Sequence, residues 1–160
     1  MTDFSYLSAS WFEWTSLARM GHVSVSTDCQ DCQILFKSDD ESFHLRQDGE
    51  WWVVDRIDDR NQRHISVARF STFGLLEKYL VWRWSWLARA AVDAKPLGAQ
   101  LHSLGMAPGV EAAATDREGA VELRSTDGSA VVPRSVENIF SQLMSKPMDE
   151  IEQLVHKGLR

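Results

Sequence analysis

The apolar positions change period several times along the chain, and each change marks an element. Near the start, Trp11, Trp14, Leu17 and Ala18 recur at helical spacing, as one face of a 3.6-residue turn requires. Ser10 and Glu13 stand at the spacing of a capping box, so the pattern predicts a helix over about 11–20, stopped by Gly21. From Val23 to Phe70 the period falls to two. Val23 and Val25 alternate with serines, Ile34-Leu35-Phe36 is a short apolar run, and Phe43 and Leu45 alternate with His44 and Arg46. Trp51 to Ile57 and Ile65 to Phe70 complete the set. Acid-rich turn segments separate these runs, which predicts an antiparallel meander with one covered and one wet face.

Phe73 to Val92 returns to helical spacing, with Ser71 or Thr72 as its cap. Phe73, Leu76, Leu80, Trp84 and Leu87 form one apolar stripe. Leu75, Tyr79, Trp82 and Trp86 form a second, roughly 130° away at about 100° per residue. Two stripes need two partners, so one is expected on the sheet and the other against the remaining helices or at an interface. Beyond Lys95-Pro96, Leu97 to Leu104 predicts one or two helical turns. Val110 to Ala114, Ala120 to Arg124 and Ser129 to Val132 predict a second small β unit, its last two strands joined through Asp127-Gly128. Two amphipathic helices close the chain: Ser135 caps Val136, Ile139, Phe140, Leu143 and Met144, and Pro147 opens Met148, Ile151, Leu154 and Val155. The fold class expected is α+β, a single domain over 1–160. It would be an antiparallel β-meander packed against a long central helix, with a short β-hairpin and two C-terminal helices.

Composition sharpens this. With 160 residues, 44% of them hydrophobic, the chain can bury a core. Its apolar runs are broken well before the roughly 18 residues of a membrane span. No basic, apolar leader precedes Phe4, so a cytoplasmic protein is expected. Seven tryptophans fall in clusters, Trp11/Trp14, Trp51/Trp52 and Trp82/Trp84/Trp86. Acids outnumber Lys and Arg by 23 to 17, a net charge of −6, which argues against nucleic acid or an anionic membrane as partner.

Signatures of catalysis are absent: no phosphate loop, no nucleophile elbow, no zinc helix. Neither catalytic residues nor a cofactor is expected. The histidines are scattered, so only a meeting of His44, His64 and carboxylates in space would support an enzyme. Asp55, Asp58 and Asp59 lack the alternation of a Ca²⁺ loop, since Ile57 stands where a ligand should, and are expected as solvated turn acids. Cys29 and Cys32 form a Cys-x-x-Cys. His22 and His44 are within reach in sequence, but nothing supplies a second closely spaced pair of zinc ligands. The acidic flanks Asp28 and Asp31 also disfavour a reactive thiolate. The expectation is two reduced thiols beside a turn, and no metal.

Charge is unevenly spread. Asp28 to Arg63 holds ten acids and five bases, whereas His64 to Ala107 holds two acids and five bases. The acids concentrate at the turns, which makes Asp39, Asp40, Glu41, Asp48, Glu50, Asp58, Asp59 and Arg60 the candidate partner-binding residues, an acidic rim suited to a basic partner.

The stretch Ala68-Arg-Phe-Ser-Thr-Phe-Gly-Leu-Leu-Glu-Lys-Tyr-Leu-Val-Trp-Arg-Trp-Ser-Trp-Leu-Ala-Arg89, with Trp51-Trp-Val-Val-Asp-Arg56 before it, resembles the actinobacterial immunity family that includes the antitoxin of the tuberculosis necrotizing toxin, an NAD⁺ glycohydrolase. The resemblance implies a non-enzymatic inhibitor whose partner is a cognate toxin domain, bound so that its NAD⁺ site is blocked. It assigns no contact residues. A second expectation comes from the residues alone: a small-ligand or regulatory domain whose tryptophans line a pocket between the sheet and the long helix.

Overall fold

The computed structural model describes residues 2–159. They form α1 (Ser5–Ala18), β1 (Ser24–Ser26), β2 (Ile34–Lys37), β3 (Ser42–Asp48), β4 (Trp51–Ile57), β5 (Arg63–Phe70), α2 (Phe73–Ala91), α3 (Gly98–Ser103), β6 (Glu111–Ala114), β7 (Ala120–Ser125), β8 (Gly128–Pro133), α4 (Glu137–Met144) and α5 (Met148–His156). A 3-10 turn over Arg134–Val136 precedes α4, whose first turn has no side-chain cap from Ser135. The α+β class is as the pattern predicts. The strands make one antiparallel sheet of order β1-β2-β3-β4-β5-β8-β7-β6.

The first helix begins earlier than predicted. Asp3 Oδ1 accepts hydrogen bonds from the Ser5 amide at 2.9 Å and the Ser5 hydroxyl at 2.6 Å, and Leu7 extends the Trp11/Trp14 face by one turn. Ser10 is thus an interior, buried position and not a cap. Arg19, in the left-handed region at φ 58°, ends the helix, so Gly21 is not needed for that purpose.

The predicted hairpin does not stand apart from the meander. Arg69 pairs with Val131 and Phe70 with Ala130, which joins β5 to β8. The Ser71 amide donates to Ser129 O, and the Ser129 amide donates back to Ser71 Oγ, both at 2.8 Å. Gly128 makes this close approach possible. Its φ is +129°, and a Cβ there would sit 2.6 Å from Ser71 Oγ. Among the described residues the β5–β8 ladder comprises only those two pairs, and the sheet forks beyond them.

Strand alternation puts Phe36, Phe43, Leu45, Val54, Phe70, Leu123, Ala130 and Val132 in the core. On α2, Trp84 meets Trp11 of α1 at 5.0 Å between centroids and Phe36 of the sheet at 5.1 Å. Such aromatic pairs add about 0.5–1.5 kcal/mol each beyond the area they bury. The second stripe also finds its cover within the chain. Tyr79 lies 5.2 Å from Phe70 and 5.9 Å from Phe140 of α4, and of that stripe Trp86 alone is exposed, at 47%. Two α2 side chains cap neighbouring helices: Lys78 Nζ donates to Met144 O at 2.7 Å at the end of α4. Buried Arg89 donates to Val155 O at 3.1 Å, to Lys157 O and to Lys95 O at 2.8 Å, placing a cation at the negative end of α5.

The two tryptophans of α2 should therefore behave differently. Trp84→Ala is expected to cost about 3–5 kcal/mol, as deleting a fully buried aromatic does. Trp86→Ala should cost under about 1 kcal/mol. Urea denaturation of both variants checks this, and equal losses would contradict the packing described.

Candidate partner-binding surface

The outer face of the sheet, away from the helices, is built round Asp55. This residue lies in β4 with its side chain fully buried, so it is not the solvated turn acid the sequence predicted. Strand alternation turns it outward, opposite His44 of β3, and long side chains from both neighbouring strands close over it. Arg46 Nε donates at 2.9 Å, Arg63 Nη2 at 2.8 Å and the Ser66 amide at 2.7 Å. Burial pushes the Asp55 carboxyl up, but the hydrogen bonds from Arg46, the Ser66 amide and Arg63 outweigh it, and the net pKa lies below the usual aspartate value. Val54 faces Ala68 while Arg56 faces His64, so β5 carries two extra residues here. Ser66 takes up the bulge at φ 55°. Arg117, from the β6–β7 loop, donates to Ser66 O and Ile65 O.

The acidic turns divide into two groups. Turns 39–41 and 58–62 lie at one end of the sheet, and Asp48 and Glu50 lie at the other end of β3 and β4. Asp40, Glu41, Asp58 and Asp59 together line a hollow of about 460 Å³ whose other walls are Ala18, Met20, Leu87 and Ala91. Asp39, Asp58 and Asp59 line a second hollow of about 300 Å³ with Lys37 and Asn61. Within this group the acids differ in their duties. Glu41 accepts from Arg83 Nη2 at 3.0 Å and lies 3.6 Å from Arg56 Nη1, with its side chain only 15% exposed. Asp58 accepts the amides of Arg60 at 3.0 Å and Gln62 at 2.9 Å and faces His64 Nε2 at 2.9 Å. The His64 contact is the largest of the causes that lower its pKa. Asp39 faces His22 Nδ1 at 2.7 Å and raises that imidazole's pKa, chiefly through the hydrogen bond. Asp40, Asp59 and Arg60 are exposed. At the far end, Asp48 accepts from Arg69 at 2.9 Å, and Arg69 lies over the Trp51 ring at 5.7 Å; Glu50 is exposed.

On the helix side, the fork between β5 and β8 opens a cavity of about 460 Å³. It is walled by Phe43, Val67, Tyr79, Trp82, Trp86 and Phe140, with Arg56 and Arg83 as its cations. Arg83 also stacks on Trp86, 4.9 Å from the ring centre. The cavity lies where a tryptophan-lined pocket between the sheet and the long helix is expected, with Trp82 and Trp86 in its wall.

Cys29 and Cys32 are joined in a disulfide, against the expectation of two free thiols. The loop that carries them is folded back on the sheet, which holds their Cα atoms 5.5 Å apart, within bridging range. His44 lies beneath this loop, and burial first, then the Arg63 charge, lower its pKa. His22, the other histidine considered for zinc, is at the Asp39 turn.

The sequence pattern of the family described as Immunity protein 61 (Imm61) matches residues 14–157. Among solved structures, Rv3902c from M. tuberculosis superposes with a TM-score of 0.73 at 14% identity, over 92% of this chain and 87% of that one. None of the curated proteins matches the chain.

Asp55→Asn should destabilise the protein by about 2–4 kcal/mol. That is somewhat below the roughly 3–5 kcal/mol for breaking a buried pair, because Arg46 and Arg63 keep access to water. The sign with pH follows from the lowered pKa. Asp55 stabilises the fold above its unfolded pKa, and this contribution is lost as pH falls through the lower folded value. Urea titrations from pH 7 downward should show that acid loss in the wild type and a flatter profile in Asp55→Asn.

Proposed function

The chain belongs to the Immunity protein 61 family, and on that premise we propose that it binds and neutralises a cognate toxin domain, an NAD⁺ glycohydrolase, by occluding the toxin's active site. The observation that carries the reading is the family match, which spans 144 residues, from 14 to 157. The fold it shares with Rv3902c supports the same assignment at the level of architecture. The protein acts in the cytoplasm as a binder, with no chemistry of its own.

We assign the contact to the end of the sheet that carries Asp39, Asp40, Asp59 and Arg60. Exposed carboxylates on short turns, held by half-buried anchors such as Glu41 and Asp58, present a rigid anionic rim, and its neighbouring hollow has apolar walls. That combination suits a basic cleft: the rim speeds encounter, and the hollow accepts one side chain of the partner. Asp48 and Glu50 face away from this end and would steer the partner without touching it.

A second reading keeps support from the fork cavity. Its volume of about 460 Å³ is within the roughly 300–1,000 Å³ of small-molecule sites, and its aromatic walls and two arginines suit a flat anion.

Adding the purified protein to its cognate toxin domain is expected to abolish NAD⁺ hydrolysis at a 1:1 ratio. Asp39→Lys/Asp40→Lys/Asp59→Lys should slow association tenfold or more at low salt and flatten its salt dependence, while Asp48→Lys/Glu50→Lys should change it far less. Absence of a complex would overturn the immunity reading. A complex with a toxin that leaves NAD⁺ intact would overturn only the named chemistry. For the fork cavity, millimolar mononucleotides should raise Tm in the wild type and not in Trp86→Ala if ligand binding is its role.

A further inference from the structure

The segment between β1 and β2 lies over the outer face of the sheet. The Gln33 amide donates to Leu45 O, and Gln33 Nε2 donates to Gln47 Oε1, both at 2.7 Å, which fixes the end of the segment beside β3. Arg63 Nη1 donates to Asp31 Oδ2 at 2.6 Å and ties its middle to β5. Three side chains of metal-binding type meet as a result. One donor atom each of Asp31, Cys32 and His44 lies within 4.8 Å of the others. The Cys29 sulfur is bonded to that of Cys32; it stands outside that 4.8 Å group and would join it as a fourth donor once the bridge opens. His44 is 8% exposed, and its Nδ1 is buried with no hydrogen-bond partner. An imidazole nitrogen withdrawn from water and left unpaired calls for a partner.

We propose that Cys29, Cys32, His44 and Asp31 form a zinc site when the two cysteines are reduced, and that the disulfide is the metal-free form of the same site. The donor set is two sulfurs, one nitrogen and one oxygen, which matches a tetrahedral zinc. The hard ions Mg²⁺ and Ca²⁺ take oxygen ligands and are excluded by the same set. The two-residue spacing of the cysteines lets both sulfurs reach one ion. A thiol reductant supplies the two electrons: two of its S–H groups become its own disulfide, and the protein bridge becomes two thiols. Zinc then binds both sulfurs as thiolates and releases two protons. With Asp31 the site would hold three negative charges against the ion's two positive ones, and Arg63, already on Asp31 Oδ2, balances the remainder. Acidic neighbours disfavour a bare thiolate in this loop, but bound zinc reverses that preference because its charge is the largest at the site.

The site would clamp the segment 29–32 to β3, so metal binding should stabilise the fold by mass action. The test uses the whole chain, reduced with a phosphine and desalted without oxygen, and titrated with Co²⁺ as the spectroscopic probe. Reduced protein is expected to show tetrahedral d–d bands and thiolate-to-cobalt charge transfer that saturate at one ion per chain, with Zn²⁺ displacing the colour and raising Tm. The disulfide form should bind at least a hundredfold more weakly. Cys29→Ser and His44→Ala should each weaken binding tenfold or more, and Asp58→Asn, outside the set, should not. Equal binding by the reduced and disulfide forms of the wild type, or no tetrahedral spectrum from the reduced form, would overturn the proposal. That comparison stands even if a variant fails to fold.

Discussion

Asp55 is a carboxylate withdrawn from water in the middle of the sheet, and much of the outer face is arranged to satisfy it. An unpaired charge at that depth would cost far more than a typical domain can spare. Arg46 from β3, and Arg63 with the Ser66 amide from β5, therefore converge on its two oxygens. Reaching it with a backbone amide requires the bulge in β5, with Ser66 in the left-handed region. Pairing of β5 with β8 is confined to Arg69 and Phe70, away from the bulge, and the aromatic cavity lies beside the unpaired stretch. Arg63 has a second arm, which holds Asp31 and so the cysteine loop over His44. One buried acid thus links the β5 bulge and the cysteine loop, which are far apart in sequence.

The helix layer obeys a different constraint, the disposal of large aromatic side chains. Trp11, Trp84, Phe36 and Phe43 fill one region between α1, α2 and the sheet, and Phe70, Tyr79 and Phe140 fill another beneath α4. Both apolar stripes of α2 are largely covered in this way, with Trp86 left exposed. At the acidic end of the sheet the charges sit on short turns. Glu41 and Asp58 show how such turns are held: each gives its carboxylate to groups of the chain, and so leaves Asp39, Asp40 and Asp59 in defined positions at the rim.

The sequence and the structure disagree where a residue's neighbours are distant in the chain. Asp55 reads as one of three clustered acids, yet a strand carries it and a turn carries Asp58. Cys29 and Cys32 read as two free thiols beside a turn, because their meeting with His44 and Asp31 arises from the folding of a loop onto a strand and follows no spacing rule. The start of α1 is not legible because Ser10 and Glu13 mimic a cap inside a helix that Asp3 and Leu7 extend. The acidic rim was legible as composition, but its division into two ends was not, since alternate hairpin turns point in opposite directions.

Local periodicity by itself determined the class of the fold. Runs of period two, a helix with two apolar stripes and two short amphipathic helices leave few arrangements other than a sheet with helices packed on it, because each apolar face must be buried. The tryptophan-rich helix also carried the immunity-family resemblance, which the match over residues 14–157 bears out. Only the tertiary structure decided that the hairpin joins the meander through β5 and β8, that the second stripe of α2 is covered from within, and that His44 lies beside the cysteines. Each of these depends on long-range pairing, where a buried charge, an aromatic ring or a glycine turn selects among partners that short stretches of sequence cannot rank.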